Sequence, residues 1–360
     1  MGHPDPLAGL TPPDRGFASD NAAGVHPAVM EALVAANTGH ALAYGEDRWT
    51  ERTAEMFREL FGRDVDTYLV WGGTGANVLA LATLLGPAEA VVCTGWSHIH
   101  VDETGAPERI LGAKLIDLPS PDGKLRPGQI DDIAELIGQV HHVQPGVVSL
   151  TQTTELGTLY SADEIAAVAD RAHAHGMRVH LDGARIANAT AALGGTIDAL
   201  RSITVDAGVD VISFGGTKAG IMYGEAVVYL DPSLAGAARF VRKQVTQLPS
   251  KQRFVAAQFE ALLTDDLWLD IAGHANATAR RLHRVVDGID GIEAGPVPDA
   301  NALFPRLAPA AWTALQGWSF FWDWDTATDQ VRWMTAWDTT DEDVERFSAG
   351  VRAVVTAAGA

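Results

Sequence analysis

A lysine on a glycine-bounded turn and an aspartate at the end of a strand are the residues of this 360-residue chain that point most directly to covalent chemistry. Lys218 lies in Val211-Ile-Ser-Phe-Gly-Gly-Thr-Lys-Ala-Gly-Ile-Met-Tyr-Gly-Glu225, where an apolar run from Val209 to Phe214 ends in two glycines. A second apolar run, Ala226 to Leu230, follows Gly220 and Gly224. An amine held between hydrophobic strands is partly desolvated, which favours its neutral form and suits it to act as a nucleophile or Schiff-base former. Taken alone, Lys218 reads as readily as a solvated turn residue. Asp182 changes the reading: it stands thirty-six positions earlier, in Arg178-Val-His-Leu-Asp-Gly-Ala-Arg-Ile-Ala-Asn188, where another short strand ends. A lysine for an aldehyde, beside a carboxylate that keeps a pyridine nitrogen protonated, is the pair that pyridoxal 5'-phosphate requires.

Such a cofactor needs an anion site. Gly72-Gly-Thr-Gly75 separates the strand Tyr68 to Trp71 from a helix expected over Ala76 to Leu85, with the strand Ala90 to Cys93 beyond. Glycines at a strand-to-helix turn let backbone N–H groups approach a phosphate, and the helix N-terminus adds partial positive charge. A dinucleotide fingerprint fails because Val78 occupies the position of its third glycine, and no Gly-Lys-Ser/Thr ending marks a triphosphate loop. The stretch Gly95 to Gly105 carries His98, His100, Asp102 and Glu103. Donor atoms for a metal are present there. Because Lys218 and Asp182 complete the chemistry without one, no metal is expected. Thr151-Gln-Thr-Thr-Glu-Leu-Gly157 is a loop with one acid, Glu155, and Arg332 is the one guanidinium in the strand-like run Val331 to Asp338. Arg242, Lys243, Lys251 and Arg253 form a basic cluster that by composition reads as a solvated face.

The elements that must position these groups alternate. Strands are expected at Lys114 to Leu118 and Gly146 to Leu150, and helices at Pro127 to Gly138 and after Ser161, where Glu164 completes a capping box. Strand, helix, strand in repetition through Leu230 implies an α/β layer with a mainly parallel sheet, which binds ligands beyond its strand ends. Earlier, Pro27 opens a helix, and Thr50 is expected to cap one that Gly62 stops. After Asp231-Pro232 the pattern shifts to longer helices, and the aromatic segment Trp318 to Trp324 is expected to form core.

Composition bounds the rest. An apolar content of 47% supports a large core, and a net charge of −20 with pI near 4.8 disfavours nucleic acid and anionic membrane as partners. One cysteine, Cys93, excludes an intramolecular disulfide and fits a reducing compartment. The start of the chain shows no basic, apolar leader, so cytoplasm is the expected location.

His180-Leu-Asp-Gly-Ala-Arg185 together with Phe214-Gly-Gly-Thr-Lys218 resembles the low-specificity L-threonine aldolases, within the fold-type I pyridoxal-phosphate enzymes. The resemblance runs from about Phe17 to the C-terminus. It implies an aspartate-aminotransferase-like fold: an N-terminal arm (1–16), a large cofactor-binding domain (17–253) and a small α+β C-terminal domain (254–360). It also implies Gly73, Thr74 and Gly75 as phosphate ligands, His98 stacked on the ring, Asp182 on the pyridine nitrogen, Arg185 on the ring hydroxyl and Lys218 on the aldehyde. Lys251 or Arg253 would reach a phosphate, in a neighbouring subunit of a dimer or tetramer. Ser19 and Arg332 would meet the substrate carboxylate. Many relatives carry a histidine just before the glycine equivalent to Gly157; here it is absent, and Thr154 or Glu155 stands in its place. The implied reaction is cleavage of L-threonine, L-allo-threonine or phenylserine-like amino acids to glycine and an aldehyde. An eliminating lyase or aminotransferase of the same fold, or a non-catalytic cofactor-binding module, are the alternatives.

Overall fold

The computed structural model describes residues 5–358. Strands β1 (Asp66–Val70), β2 (Glu89–Thr94), β3 (Lys114–Leu118), β4 (Gln144–Thr151), β5 (Arg178–Gly183), β6 (Val211–Gly215) and β7 (Glu225–Tyr229) form one sheet in the order β1-β7-β6-β5-β4-β2-β3. The run from β3 to β6 is parallel, and β7 lies antiparallel to both β6 and β1. β4, β6 and β7 are buried nearly throughout, as strands covered on both faces must be. This is the mainly parallel α/β layer that the alternating pattern implies.

The connection from β1 through helix Gly73–Leu84 to β2 differs from the simple βαβ unit expected, because β7, β6, β5 and β4 lie between the two strands. The helix also starts three residues early, within the glycines. Ala76, Leu79 and Ala80 pack on Val70, Val211 and Val227, while Leu81 packs against Val91, Cys93 and Val147. Burial on two sides explains its largely apolar sequence, and its first residue, Gly73, lines the same pocket as Asp182 and Lys218.

Several local expectations hold and one moves. Pro27 begins helix Pro27–Ala36, Gly62 ends helix Arg48–Phe61 at φ 66°, and Ser161 and Glu164 form the capping box. Asp47, rather than Thr50, caps the second helix: its Oδ1 accepts the Thr50 N–H at 2.9 Å, and its Oδ2 accepts the threonine hydroxyl at 3.0 Å. Either residue type can cap, and the start of helical geometry decides between them.

The chain divides into two compact units, Val25–Leu269 and a second made of the segment up to Gly24 with Asp270 onward. The division falls within helix Leu267–Val286 rather than at residue 254, and the arm expected at 1–16 joins the C-terminal unit. Its residues 1–4 lie outside the described residues. Residues 5–16 are anchored: Leu7 is buried, and Arg15 pairs with Asp343 at 3.3 Å.

That unit has a small sheet in the order β11-β12-β10-β8, from β8 (Ile292–Glu293), β10 (Arg306–Leu307), β11 (Trp322–Asp325) and β12 (Gln330–Met334), with β9 (Ala302–Leu303) pairing β12. Phe17, Phe321, Trp333 and Phe347 make its aromatic core, with Trp333 and Phe347 centroids 5.0 Å apart. The Trp318–Trp324 segment is only partly core. Phe321 is buried, whereas alternation along the chain leaves Phe320 and Trp322 about half exposed. No helix among the described residues is long and apolar enough to cross a membrane.

Candidate active site

β5 and β6 pair in parallel with Asp182 opposite Ser213 and Gly183 opposite Phe214, so the two motif-bearing strands end side by side. The glycines after Phe214 are required by close packing. A Cβ on Gly215 would fall 2.2 Å from Ala184 O, and one on Gly216 would fall 2.7 Å from Gly224 O. Lys218 then sits on the single turn Thr217–Ala219, which Gly220 ends at φ 88°, a conformation that favours glycine. Thr217 braces this turn, its Oγ1 accepting the Gly224 N–H at 3.1 Å.

Gly73, His98, Glu155, Asp182, Arg185 and Lys218 line one pocket that is partly open to solvent. Asp182 is 4% exposed. Its Oδ1 accepts the Ala184 N–H at 3.0 Å, and its Oδ2 accepts Asn77 Nδ2 at 2.8 Å. The same Asn77 nitrogen donates to Glu103 Oε1 at 2.8 Å, and that oxygen meets His98 Nδ1 at 2.9 Å. One amide thus ties the aspartate to the histidine's anchor. The buried Glu103 takes up Nδ1, which leaves Nε2 as the other ring nitrogen of His98. The Glu103 contact holds the imidazole's pKa above its ordinary value, against the opposing effect of burial.

Glu155 belongs to the same shell. Its Oε1 accepts the His98 backbone N–H at 2.8 Å and the Thr151 hydroxyl at 2.9 Å, while Oε2 is buried. Burial pushes this carboxyl up to about 7, against the hydrogen bonds that favour its ionised form. Thr154 instead bonds Thr158 Oγ1 at 2.7 Å and closes its own loop. Behind the site, His180 is clamped between Ser149 Oγ at 2.9 Å and Ser213 Oγ at 3.0 Å. Burial lowers it to about 4, so it is a neutral packing element.

The first turn of helix Gly73–Leu84 has no side-chain cap, which leaves its backbone donors for an anion. Gly73 lines the pocket; Thr74 and Gly75 come next on the same turn. Gly75 also lies close against the end of the Gln247 side chain. A Cβ there would fall 2.2 Å from Gln247, whose Oε1 accepts the Trp71 N–H at 3.1 Å.

The basic cluster separates. Arg242 is not on a solvated face: it is buried, its Nη1 donates to Leu69 O at 3.2 Å, and burial lowers it to about 10. Lys251 is exposed, and Arg253 Nη1 donates to Thr38 O at 3.4 Å and Gly39 O at 3.3 Å; neither lines the pocket. Ser19 and Arg332 lie in the other unit, near one another. Arg332 Nη2 donates to Ala18 O at 3.3 Å, and Ser19 caps the turn Asp20–Ala22. His100 faces Asp117 at 3.8 Å.

Asn77, which lines the pocket, and Gln247, which accepts the Trp71 N–H beside the glycine turn, are residues that sequence reasoning misses. Asn77 leaves a signal, as the lone amide within an apolar helical run. Gln247 leaves none, since it is far in sequence from the turn it braces.

Residues 16–307 match the beta-eliminating lyase family model. The chain is 40% identical over 351 residues to the low specificity L-threonine aldolase of a Pseudomonas species, covering 97% of this chain and 100% of that one. It belongs to the low-specificity L-threonine aldolase family. A second relative of that name, from Pseudomonas aeruginosa, is 40% identical over 344 residues, covering 95% of this chain and 98% of its own length. Among solved structures, the Leishmania major threonine aldolase superposes with a TM-score of 0.87 at 31% identity, over 94% of this chain and 99% of that one. An SPT solved with its pyridoxal-phosphate internal aldimine shares the fold, with a TM-score of 0.70 at 17% identity over 95% of this chain and 87% of that one. The chain is therefore a fold-type I carbon–carbon lyase with pyridoxal phosphate as cofactor. Its pocket fits that group: a buried carboxylate, a lysine and an arginine line one cleft, into which an uncapped helix start also opens.

Proposed function

We propose that this enzyme cleaves L-threonine and L-allo-threonine, and phenylserine-like relatives, to glycine and the corresponding aldehyde. The observation that carries the proposal is the convergence of Lys218, Asp182 and His98 on one pocket in a chain of this family. When bound, pyridoxal phosphate supplies an electron sink for the pair released from a broken bond at the amino acid's Cα. Lys218 would bind its aldehyde carbon, Asp182 would hold a proton on the ring nitrogen, and Arg185 would hydrogen-bond the ring hydroxyl. Gly73, Thr74 and Gly75 donate to the phosphate, and Lys251 or Arg253 reaches the phosphate of a neighbouring subunit in a homo-oligomer.

His98 would lie against the ring and, through Nε2, would take the β-hydroxyl proton as Cα–Cβ breaks. Glu155, one peptide N–H from His98, is the second group that can hold that proton. Arg332, with Ser19, orients the substrate carboxylate by paired charge-assisted hydrogen bonds. Arg332→Ala is accordingly expected to lower kcat/KM by on the order of ten- to a hundredfold while the protein keeps its yellow colour. Loss of colour with normal turnover after cofactor resupply would move Arg332 to the phosphate site. A cytoplasmic location is part of the same reading, supported by a single, buried cysteine.

The test is a product assay on purified enzyme with L-threonine and no folate. Glycine and acetaldehyde are expected in equal amounts. Ammonia and 2-oxobutyrate as main products would place the chain among eliminating enzymes of the same fold.

A further inference from the structure

Glu225 is a buried carboxylate that the chemistry above does not use. It opens β7, where it pairs with Gly215 of β6 on one side and Val70 of β1 on the other, and it is 6% exposed. Its Oε2 accepts the Gly216 N–H at 2.5 Å, directly beneath the turn that carries Lys218. The preceding residue, Gly224, is gripped by Thr217 from the same turn, so the acid and the lysine turn are joined at two adjacent points. A glutamate buried between two strand partners is costly unless something answers its charge.

The groups that act on it are few. Lys218 favours its ionised form, Asp182 across from β5 opposes it, and the Gly216 N–H and Thr217 hydroxyl bond to it. β1 meets it with the apolar Val70. Burial pushes its pKa up to about 7, against the hydrogen bonds from Gly216 and Thr217 and the charge of Lys218.

We propose that Glu225 is a positioning residue for Lys218: it fixes the Gly216–Lys218 turn from beneath and supplies the negative charge that stabilises cationic nitrogen at Lys218. Glu225 is not among the residues that line the pocket. It acts through the turn and through charge, and so sets the pH range over which the lysine nitrogen keeps its proton once the cofactor is bound. This inference rests on the reading that Lys218 holds the cofactor.

The experiment is a pH titration of the visible absorbance of the holoenzyme, with cofactor stoichiometry measured alongside. Glu225→Gln keeps an oxygen for the Gly216 N–H and removes the charge. It is expected to bind cofactor and to move the absorbance midpoint down by at least about one pH unit, the effect of deleting a nearby opposite charge. Glu225→Asp keeps the charge and shortens the reach. It is expected to retain a midpoint near that of the unaltered enzyme while losing cofactor faster on dialysis. An unmoved midpoint in the glutamine variant overturns the proposal, as does an equal displacement in both variants, which would assign the effect to packing. Failure of both variants to fold would make Glu225 a folding residue and overturn it as well. Borohydride labelling separates the two readings. Label away from Lys218 removes the premise, whereas label on Lys218 with an unmoved midpoint removes only the role of Glu225.

Discussion

Lys218→Ala is expected to abolish the yellow colour of the purified protein and to lower threonine turnover by at least about a thousandfold, on the order of 4 kcal/mol of transition-state stabilisation. The size of the effect reflects that no neighbour can replace the amine. Lys218 is the one lysine lining the pocket among the described residues, and its turn is fixed by Gly216, Gly220 and the Thr217–Gly224 hydrogen bonds. Truncation at Cβ leaves that turn intact, so folding and the Asp182–Asn77–Glu103 network should persist. Circular dichroism and thermal unfolding matching the unaltered protein, with colour and turnover lost, are the expected combination. Colour retained at full stoichiometry would show that another amine serves.

Asp182→Asn should cost at least about 2.7 kcal/mol, roughly a hundredfold in rate, while part of the cofactor binding survives. The substitution is nearly isosteric, but the chemistry of the two oxygens differs. Asp182 accepts from both the Ala184 N–H and Asn77 Nδ2, and it is buried, so its negative charge is weakly screened. An asparagine can accept through one oxygen only and must turn its NH2 toward a donor or toward the ring nitrogen. Either way the ring nitrogen would lose the anion proposed to keep it protonated, and with it most of the electron sink. Near-normal turnover would mean that another acid protonates the ring. Glu103 would be the first to examine, because Asn77 already links it to Asp182.

The parts of this site legible in the sequence are those whose signal is local. Asp182 and Lys218 each lie where an apolar run meets glycine, and such runs predict strand ends because glycine tolerates the crowding and backbone angles of a sharp turn. Gly215 admits Ala184 O, and Gly220 adopts a positive φ. The glycine turn before helix Gly73–Leu84 is legible for the same reason. Sheet order is not. The insertion of four strands between β1 and β2 is set by contacts distant in sequence, and an apolar run carries no record of its neighbour. Asn77 shows an intermediate case. An amide in a buried helical face must find partners, which marks it as special, but the pattern alone does not name Asp182 and Glu103 as those partners. Arg242 fails as a solvated cation because its hydrogen bond to Leu69 O and its place over Tyr68 come from tertiary packing. Lys243, next in the chain, lies over the ring of Tyr44. The domain boundary moves for a comparable reason. The division falls inside one continuous helix, where composition does not change.

The central claim is that Lys218 holds the cofactor beside Asp182. Reducing the holoenzyme with borohydride, digesting it and mapping the pyridoxyl label by mass spectrometry tests this most directly. The account predicts a single labelled peptide spanning the Phe214-Gly-Gly-Thr-Lys218 segment, with the label on Lys218 and the yellow colour bleached. Label on Lys114, on Lys251 or on no lysine would contradict it.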